Sequence, residues 1–358
     1  MIDIDKMIAE CDDVLDDIDS SLKRTQRGIN EMNRVINIVE NTDAILDDLD
    51  NQFCNKTGLT KTDMVFLFVA VGLQIARQYL LSNEKGRISA SQGDKLVDKA
   101  LTLTPPSWHE VLTQSVPYDA IQTSVHVSDT GLSGTTHRYR TLGHDPIMGW
   151  IFGTANIMTN SLTKTNFETY QVKNMQIVRH YPNGVLGMLE KAVSYANDDK
   201  KLLVASVARQ AVHFGSDYFT KQGLPIPGIA VANNDLAKKM LTDWHIDMWS
   251  ITRGITLATF INQLISIIHM LFYNGNSEME RKLYEVRTRK IISYSNLIAS
   301  SSNVAVVAIT KDMKKLDVGG IAVAIYRLIT DAKFIREVKE EFISKSYRDL
   351  IMGEDLYD

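Results

Sequence analysis

The chain has 358 residues, of which 44% are apolar and 23% charged, and its formal net charge is −4. This composition is typical of a folded globular protein and excludes a disordered one. The slightly acidic balance argues against general nucleic-acid binding, because that function needs a basic surface that displaces counterions from phosphates.

The N-terminal segment is acidic from its third residue and has neither a basic n-region nor a continuous apolar h-region. We therefore expect no signal peptide and a cytoplasmic location. The two cysteines, Cys11 and Cys54, are too few for a disulfide framework. Both lie in sequence with a helical pattern and are predicted to be buried as small hydrophobic residues.

Residues 1–58 are predicted to form an N-terminal helical hairpin. Apolar residues recur at spacings of three and four from Ile4 to Leu22, Gly28 interrupts, and the pattern resumes from Met32 to Leu49. Such a hairpin would pack on the body of the protein or pair with another subunit in a homo-oligomer. The apolar repeat is not interpreted as long enough for a stable coiled coil, and the aspartate-rich face is interpreted as solvated.

Residues 59–273 are predicted to form a helical core with a loop-rich middle segment. A helix is expected over 65–81, followed by long loops over 82–142, where serine, threonine, glycine and proline are frequent. All seven prolines lie between residues 105 and 227, so both flanks lack the residue that breaks helices. Long loops on a helical frame are where binding sites are often built.

Residues 274–358 are predicted to form C-terminal helices that pack on this core. The fold class is therefore all-α, a multi-helix bundle. The run 304–309, VAVVAI, is also compatible with a short strand because it is rich in β-branched residues.

The segment from Ile255 to Phe272 is apolar nearly all round and almost long enough to cross a bilayer. It contains Asn262, Gln263 and His269, which are costly in hydrocarbon unless they are paired. The preferred interpretation is a buried core helix at the centre of the bundle, and peripheral membrane contact is the alternative.

Several enzyme classes are excluded by missing motifs. The sequence has no Walker A motif, no GxGxxG after a strand, no GxSxG elbow, no HExxH and no CxxC pair. What remains is a set of histidines and aspartates in the middle third of the chain.

The most specific pair in this set is His213 and Asp217, four residues apart in helical sequence, which places both on one helix face. Upstream lie His137, His144 and Asp145, and downstream lie Asp243, His245 and Asp247. Converging imidazole and carboxylate ligands suit Zn²⁺, Mn²⁺ or Fe²⁺. Taken alone, however, an HxxxD pair is more often a core histidine bonded to an aspartate. His126, His180 and His269 have no acidic residue at ligand spacing and are interpreted as structural.

Two blocks of sequence resemble a known family. TLGHDPIMGWIFG, preceded by His137 and Arg138, and AVHFGSDYFTKQGLPIPG resemble the signature blocks of the bacterial membrane-bound metal-dependent hydrolase family. That family is similar to the helical zinc phospholipase C and P1 nuclease group. The matching positions of the second block are His213, Asp217, Thr220, Gly223, Pro225 and Pro227. The resemblance covers about residues 135–230. The family's early proline–aspartate block is not identified before residue 135, and Asp145 stands where serine is more typical.

The resemblance implies metal-assisted hydrolysis of a phosphoester substrate. His144, His213 and Asp217 are then expected to bind a divalent metal ion, with His137 as a further ligand. Asp145 is expected to be a ligand or to support catalysis, and Arg138 or Arg140 to balance charge on a phosphate.

The alternative from a different class is a non-catalytic helical protein that acts by contact. It would bind a partner through the N-terminal hairpin, or associate with a membrane through its apolar helices as a toxin, defence effector or scaffold can. If the protein is an enzyme, we expect the middle residues to converge on one site. If it acts by contact, we expect dispersed histidines and a large exposed apolar surface.

Overall fold

The computed structural model describes residues 4–80, 87, 92, 105–106 and 109–353, with the backbone alone at 4–12, 14, 80 and 110. Within this part the chain is mostly helical, which confirms the predicted all-α class. Much of the loop prediction for 82–142 lies outside the described residues. The histidines and aspartates of the middle third lie inside the described residues.

Thirteen α-helices occur in the described part of the chain. They are α1 (Ile4–Glu40), α2 (Thr42–Lys56), α3 (Lys61–Leu80), α4 (His109–Thr113), α5 (His137–Arg140), α6 (Gly149–Thr159), α7 (Gly184–Asp198), α8 (Lys200–Phe219), α9 (Ile229–Ala232), α10 (Asn234–Lys238), α11 (Met248–Met270), α12 (Glu278–Thr310) and α13 (Val318–Met352). Short 3₁₀ turns lie at Pro117–Asp119, Leu142–His144 and Met313–Lys315, and a π-helical turn lies at Lys239–Asp243.

The chain forms two compact units, each assembled from separate stretches. Unit 1 contains Met1–Phe66, Ser266–Ile292 and Arg327–Asp358, and unit 2 contains Leu67–Ile265 and Ser293–Tyr326. The three segments predicted from sequence are continuous, whereas these units are not, because α3, α11, α12 and α13 each contribute residues to both.

Unit 1 has an apolar core between α2, α12 and α13. Phe53 packs against Phe342 with ring centroids 5.9 Å apart, and Val286 and Val338 are buried beside them. Arg289 bridges Glu285 and the buried Asp331, at 2.7 and 3.2 Å.

Unit 2 contains a small sheet that the sequence analysis did not predict. Its four strands are β1 (Gln122–Thr123), β2 (Ser161–Thr163), β3 (Thr169–Lys173) and β4 (Gln176–His180), in the order β1-β4-β3-β2. Strands β2, β3 and β4 are antiparallel neighbours, and β1 pairs with β4 in parallel. Strands this short carry little periodic signal, so sequence patterns rarely identify them.

The sheet covers a core that also anchors the site. Val116, Tyr118, Leu162, Tyr170 and Ile177 are buried together between the sheet and the 3₁₀ turn at Pro117–Asp119. This packing fixes the backbone on either side of Asp119.

Three local predictions need correction. Gly28 does not interrupt the first helix, because one glycine costs a helix only about 1 kcal/mol. A Cβ added at Gly28 would have no atom within 4 Å, so no close packing requires a glycine there. The break between the first two helices falls at Asn41. The run 304–309 is helical, as part of α12. Cys54 is exposed rather than buried. The side chain of Cys11 lies outside the described residues.

The long apolar helices are less buried than the sequence analysis expected. Helices α11 and α12 are long and apolar enough to cross a membrane. Helices α2 and α3, which are bent by 58° at the break between them, would add a third span if they cross together. Only 22% of the apolar window of α11 is buried, and Phe260, Ile267 and Leu271 are mostly exposed. The interpretation of Ile255 to Phe272 as a buried central helix is therefore wrong for this structure.

Candidate metal centre

Five side chains of unit 2 converge on one point. Asp119, His137 and His144 form one group of close ligand atoms, and His144, His213 and Asp217 form a second, so that His144 belongs to both. Within each group the ligand atoms lie within 4.8 Å of one another. We call these five residues the His/Asp cluster.

Asp119 reaches the cluster from the short 3₁₀ turn that Pro117 begins. Tyr118, the residue before Asp119, is fully buried, and its hydroxyl donates a hydrogen bond to Gln210 Oε1 at 2.6 Å. Because Tyr118 is fixed at both ends of its side chain, the adjacent carboxylate has little freedom to turn away. The Asp119 side chain is 31% exposed, so the cluster opens to solvent on its side.

His144 reaches the cluster from a second 3₁₀ turn, Leu142–His144, whose three residues are all buried. A Cβ at Gly143 would lie 2.4 Å from the Tyr118 ring, so only glycine allows this turn to approach the ring. Tyr118 in turn contacts the edges of His144 and His213, with ring centroids 5.0 and 5.3 Å away.

His213 and Asp217 lie one turn apart on α8, as the four-residue spacing predicts. Helix α8 packs closely on α6 because Gly149 and Gly153 leave room for Phe214 and Gln210; a Cβ at Gly153 would lie 2.3 Å from Gln210 Oε1. Gln210 also donates to the carbonyl of Gly143 at 2.9 Å, which ties α8 to the turn that carries His144.

The distances between the cluster atoms are those of direct contacts. His144 Nε2 lies 2.9 Å from Asp119 Oδ1, and His213 Nε2 lies 3.1 Å from Asp217 Oδ2. The Nε2 atoms of His144 and His213 are 3.3 Å apart. His137 Nε2 is farther out, 3.8 Å from Asp119 Oδ1.

Hydrogen bonds on the far side of two rings assign their tautomers. His137 Nδ1 lies 2.9 Å from the carbonyl oxygen of Ser133, which can only accept, so this nitrogen carries the proton. His144 Nδ1 lies 2.7 Å from the Thr141 hydroxyl, whose own proton goes to the carbonyl of His137. With the Thr141 proton on that carbonyl, His144 Nδ1 donates as well, and both rings then present an Nε2 lone pair to the cluster.

The centre of the cluster therefore holds more acceptors than donors. Two imidazole lone pairs face two carboxylate oxygens, and His213 Nε2 can supply at most one proton among them. Asp119 Oδ1 and Asp217 Oδ2 are buried without a hydrogen-bond donor. Unpaired acceptors in this number are costly unless a cation lies between them.

Burial and the neighbouring ionisable groups shift the pKa values of the cluster residues. Burial lowers the pKa of His144 to about 4, even though Asp119 and Asp217 oppose the shift. Burial alone would lower the pKa of His213 too, but the carboxylates of Asp217 and Asp119 outweigh it and raise that pKa. The three histidines hold the pKa of Asp119 far below its usual value, despite burial.

Arg138 contacts Asp217 through the carboxylate oxygen that does not face the histidines. Its Nη2 lies 2.8 Å from Asp217 Oδ1, and its Nη1 donates to the carbonyl of Gly223 at 3.3 Å. The guanidinium thus fixes the orientation of Asp217 rather than pointing at open space. Arg140 donates to the carbonyl of Gly131 at 3.0 Å and is not part of the cluster.

Asp145 lies beside His144 in sequence but outside the cluster. Its Oδ1 accepts from the backbone N–H groups of Ile147 and Met148, and its Oδ2 accepts from that of Gly228 at 2.6 Å. Both oxygens are therefore occupied by backbone donors, and the carboxylate holds two loops together. This geometry leaves it no direct contact with the five cluster residues.

The downstream candidates are also separate. Asp247 pairs with Arg87 at 2.7 Å and accepts from the N–H of Ser250, while Asp243 is exposed and hydrogen bonded to Thr242. His245 lies next to the π-helical turn with a positive φ and is not among the close ligand atoms.

His269 has a different environment in unit 1. It lacks an acidic residue at local spacing, but Asp63, 206 residues away in sequence, lies 2.8 Å from its Nε2. Its interpretation as structural fits this arrangement, although the acidic partner could not be identified from spacing.

Asp119 is the cluster residue that the sequence analysis missed. A signal was present, because Pro117 and Asp119 form a proline–aspartate pair before residue 135, where the resemblance leads one to expect such a block. The intervening Tyr118 separates the two residues and hides the pair.

A cavity of about 350 Å³ borders the same region. It is lined by Pro117 and the residues just before it, by Ile157 and Met158 of α6 and by residues of α8 that include Arg209, but by none of the five cluster residues. The chemistry of the cluster is therefore not assigned to this cavity.

Comparisons of the chain with protein-family models, with curated proteins and with solved structures give no match. The argument for function therefore rests on the geometry described above.

Proposed function

We propose that the His/Asp cluster binds a divalent metal ion and that the protein is a metal-dependent hydrolase of phosphoesters. One observation carries the proposal: three imidazole nitrogens and two carboxylate oxygens meet in two overlapping groups, and within each group the ligand atoms lie within 4.8 Å of one another. The two sequence blocks that resemble those of metal-dependent hydrolases contain His144, His213 and Asp217, and His137 precedes the first block.

The donor set fits such a metal ion. Three imidazoles and two carboxylates suit Zn²⁺, Mn²⁺ or Fe²⁺. Thr141 and Ser133 accept from the Nδ1 atoms of His144 and His137, which is the usual way that metal-binding imidazoles are oriented. Arg138 orients the Asp217 carboxylate in the same manner.

The metal ion, when bound, would polarise a phosphoester and lower the pKa of a water molecule toward neutrality. The residues of this chain supply the rest. The solvent-exposed side of Asp119 is where substrate can approach. Tyr118, Gln210 and Gly143 hold the ligands in place through the packed faces of α6 and α8, so the site needs little rearrangement.

The charge around the cluster favours an anionic substrate. Arg138 contacts Asp217, and the buried Arg209 lies close enough for the charges of Asp119 and Asp217 to act on it. The two arginines balance the two carboxylates, so a bound dication leaves the site positive. A phosphoester fits that balance better than a neutral ester does.

The test is metal content by plasma mass spectrometry on tag-free protein, with wild type compared with His213→Ala and Asp217→Ala. We expect near-stoichiometric zinc, manganese or iron in wild type, its loss in both variants, and metal-dependent cleavage of a chromogenic phosphodiester by wild type. Wild type that stays metal-free after incubation with each ion, or folded variants that keep the metal, would refute the proposal.

A second proposal concerns the apolar helices. We propose that α11 and α12 associate with a lipid bilayer. No charged residue occurs between Arg253 and Glu278 or between Lys290 and Lys311, and these stretches are long enough to cross hydrocarbon. The Oδ1 atom of Asn262 accepts from Gln74 at 3.0 Å and from Asn296 at 2.7 Å, whereas its Nδ2 is buried without an acceptor.

Membrane association is tested by fractionating cells that express the full chain. We expect wild type to remain with membranes after alkaline carbonate and to be released by detergent. A double variant, Phe260→Lys with Ile267→Lys, should be partly extracted, and Lys173→Ala on β3 should behave as wild type. Wild type found in the soluble fraction would contradict this proposal and leave the first one intact.

A further inference from the structure

A stripe of exposed apolar side chains follows α1 from residue 15 to residue 39. Its seven members are between 43% and 63% exposed: Leu15, Ile18, Leu22, Ile29, Met32, Ile36 and Val39. They recur alternately at three and four residues, with Thr25 at the one remaining position. We call these eight residues the α1 seam.

The α1 seam is a heptad repeat. Leu15, Leu22, Ile29 and Ile36 occupy one core position, and Ile18, Thr25, Met32 and Val39 occupy the other. The continuous α1, uninterrupted at Gly28, keeps all eight on one side over about 36 Å. This continuity corrects the sequence-based conclusion that no sufficiently long heptad run exists.

The opposite side of α1 is already occupied within unit 1. Arg34 lies at the heptad position farthest from the seam and donates to the carbonyls of Leu350 and Ile351 at the end of α13. Just beyond α1, the Thr42 hydroxyl is 2.8 Å from that of Tyr347, also on α13. Contacts with the rest of the chain therefore orient the helix, and the seam faces away from them.

We infer that the α1 seam binds the same seam of a second copy of this chain, in a parallel coiled coil. A seven-residue repeat packs well only against a helix with the same repeat, which every second copy supplies. In the parallel arrangement Thr25 meets Thr25 of the copy, so the one polar position pairs with itself. In an antiparallel pair it would face an apolar residue.

The residues that flank the seam are compatible with this pairing. In a parallel pair, Ser21, Gly28 and Val35 on one helix lie beside Gln26, Asn33 and Glu40 on the other. No like charges meet there. The area is also adequate, because burying the exposed parts of fourteen apolar side chains removes on the order of 1,300 Å² from solvent, within the range of specific interfaces.

The test compares masses of the full chain by light scattering in one detergent-containing buffer. We expect wild type to contain at least two copies, and Leu22→Glu with Ile29→Glu to weaken association at least about tenfold. The matched control, Arg27→Glu with Asn30→Glu, alters exposed positions off the seam of the same helix and should associate as wild type does. Circular dichroism verifies that all three remain helical.

Orientation is tested by disulfide formation in a Cys11→Ser, Cys54→Ser background. Ile18→Cys should cross-link rapidly between copies, whereas Lys23→Cys, which points away from the seam, should not. Single-copy wild type at all accessible concentrations would overturn the inference. So would a control variant that dissociates as fully as the seam variant, or equal cross-linking at the two positions.

Discussion

Each unit of this protein contains a buried histidine within 3.1 Å of an aspartate, and the two sites differ in how many imidazole and carboxylate groups meet. In unit 1, His269 Nε2 lies 2.8 Å from Asp63 Oδ1, and its Nδ1 lies 2.8 Å from the Thr288 hydroxyl. Asp63 Oδ2 accepts from the N–H of Thr60 and from Arg287. Only one imidazole and one carboxylate meet here, and the second carboxylate oxygen already has two donors.

The His/Asp cluster of unit 2 instead gathers three imidazoles and two carboxylates. Two of its imidazoles have already donated their protons outward, to Ser133 and Thr141, and its carboxylate oxygens face nitrogen lone pairs. Burial and a short His–Asp distance are common to both sites. The number of converging imidazole and carboxylate groups separates a structural His–Asp pair from a candidate cation site.

The largest expected effect is on metal affinity. Asp119→Asn or His144→Ala should weaken binding more than about 100-fold, since loss of an outer partner alone typically costs 10–100-fold. His269→Ala should leave the affinity unchanged. Competition with a chromogenic chelator measures all three. Metal binding that depends on His269 as strongly as on His144 would break the distinction between the two sites.

The next effect is on stability without metal. His269→Ala should lower the free energy of unfolding by about 2–4 kcal/mol, because it removes a buried ring and one partner of Asp63. Asp119→Asn should be neutral or stabilising in the metal-free protein, since its amide can donate to an imidazole lone pair. Denaturant unfolding in the presence of chelator gives both values. Strong destabilisation by Asp119→Asn would mean that the cluster is already satisfied.

A smaller effect is expected from the hydroxyl groups that orient the two histidines. Thr141→Val removes the acceptor for His144 Nδ1 and should weaken metal binding about 10–100-fold while preserving shape. Thr288→Val makes the same change beside His269 and serves as the matched control, with no effect on metal. Equal affinities in wild type and Thr141→Val would show that this hydroxyl does not orient the ring.

The smallest expected effect is on the stability of the metal-free protein at acid pH. The folded-state pKa of His144 is about 4, below the ordinary value of 6.5, so the unfolded chain takes up this proton first. Its contribution should therefore destabilise the metal-free protein as pH falls from about 6.5 to 4. His213, whose pKa is raised, acts in the opposite sense, since the stability it adds is lost as pH rises. His144→Gln should flatten the acid side of a plot of melting temperature against pH. A variant whose acid side stays as steep as that of wild type would contradict the assignment.

Local patterns identified the parts of the site that one element supplies. His213 and Asp217 share a helix face because four residues make about one turn, and no knowledge of the rest of the fold was needed. Asp119 was missed because it joins them from 94 residues away, through a short turn held by Tyr118. Asp145 was selected for its position beside His144, yet the backbone of Gly228 occupies its carboxylate.

The sequence by itself determined the mostly helical class, the apolar length of α11 and the pairing of His213 with Asp217. These follow from periodicity and composition, which act within a few turns of one helix. Tertiary structure decided that α11 is largely exposed and which histidines of the chain meet. Both depend on packing between segments that are distant in sequence, as between His144 and His213.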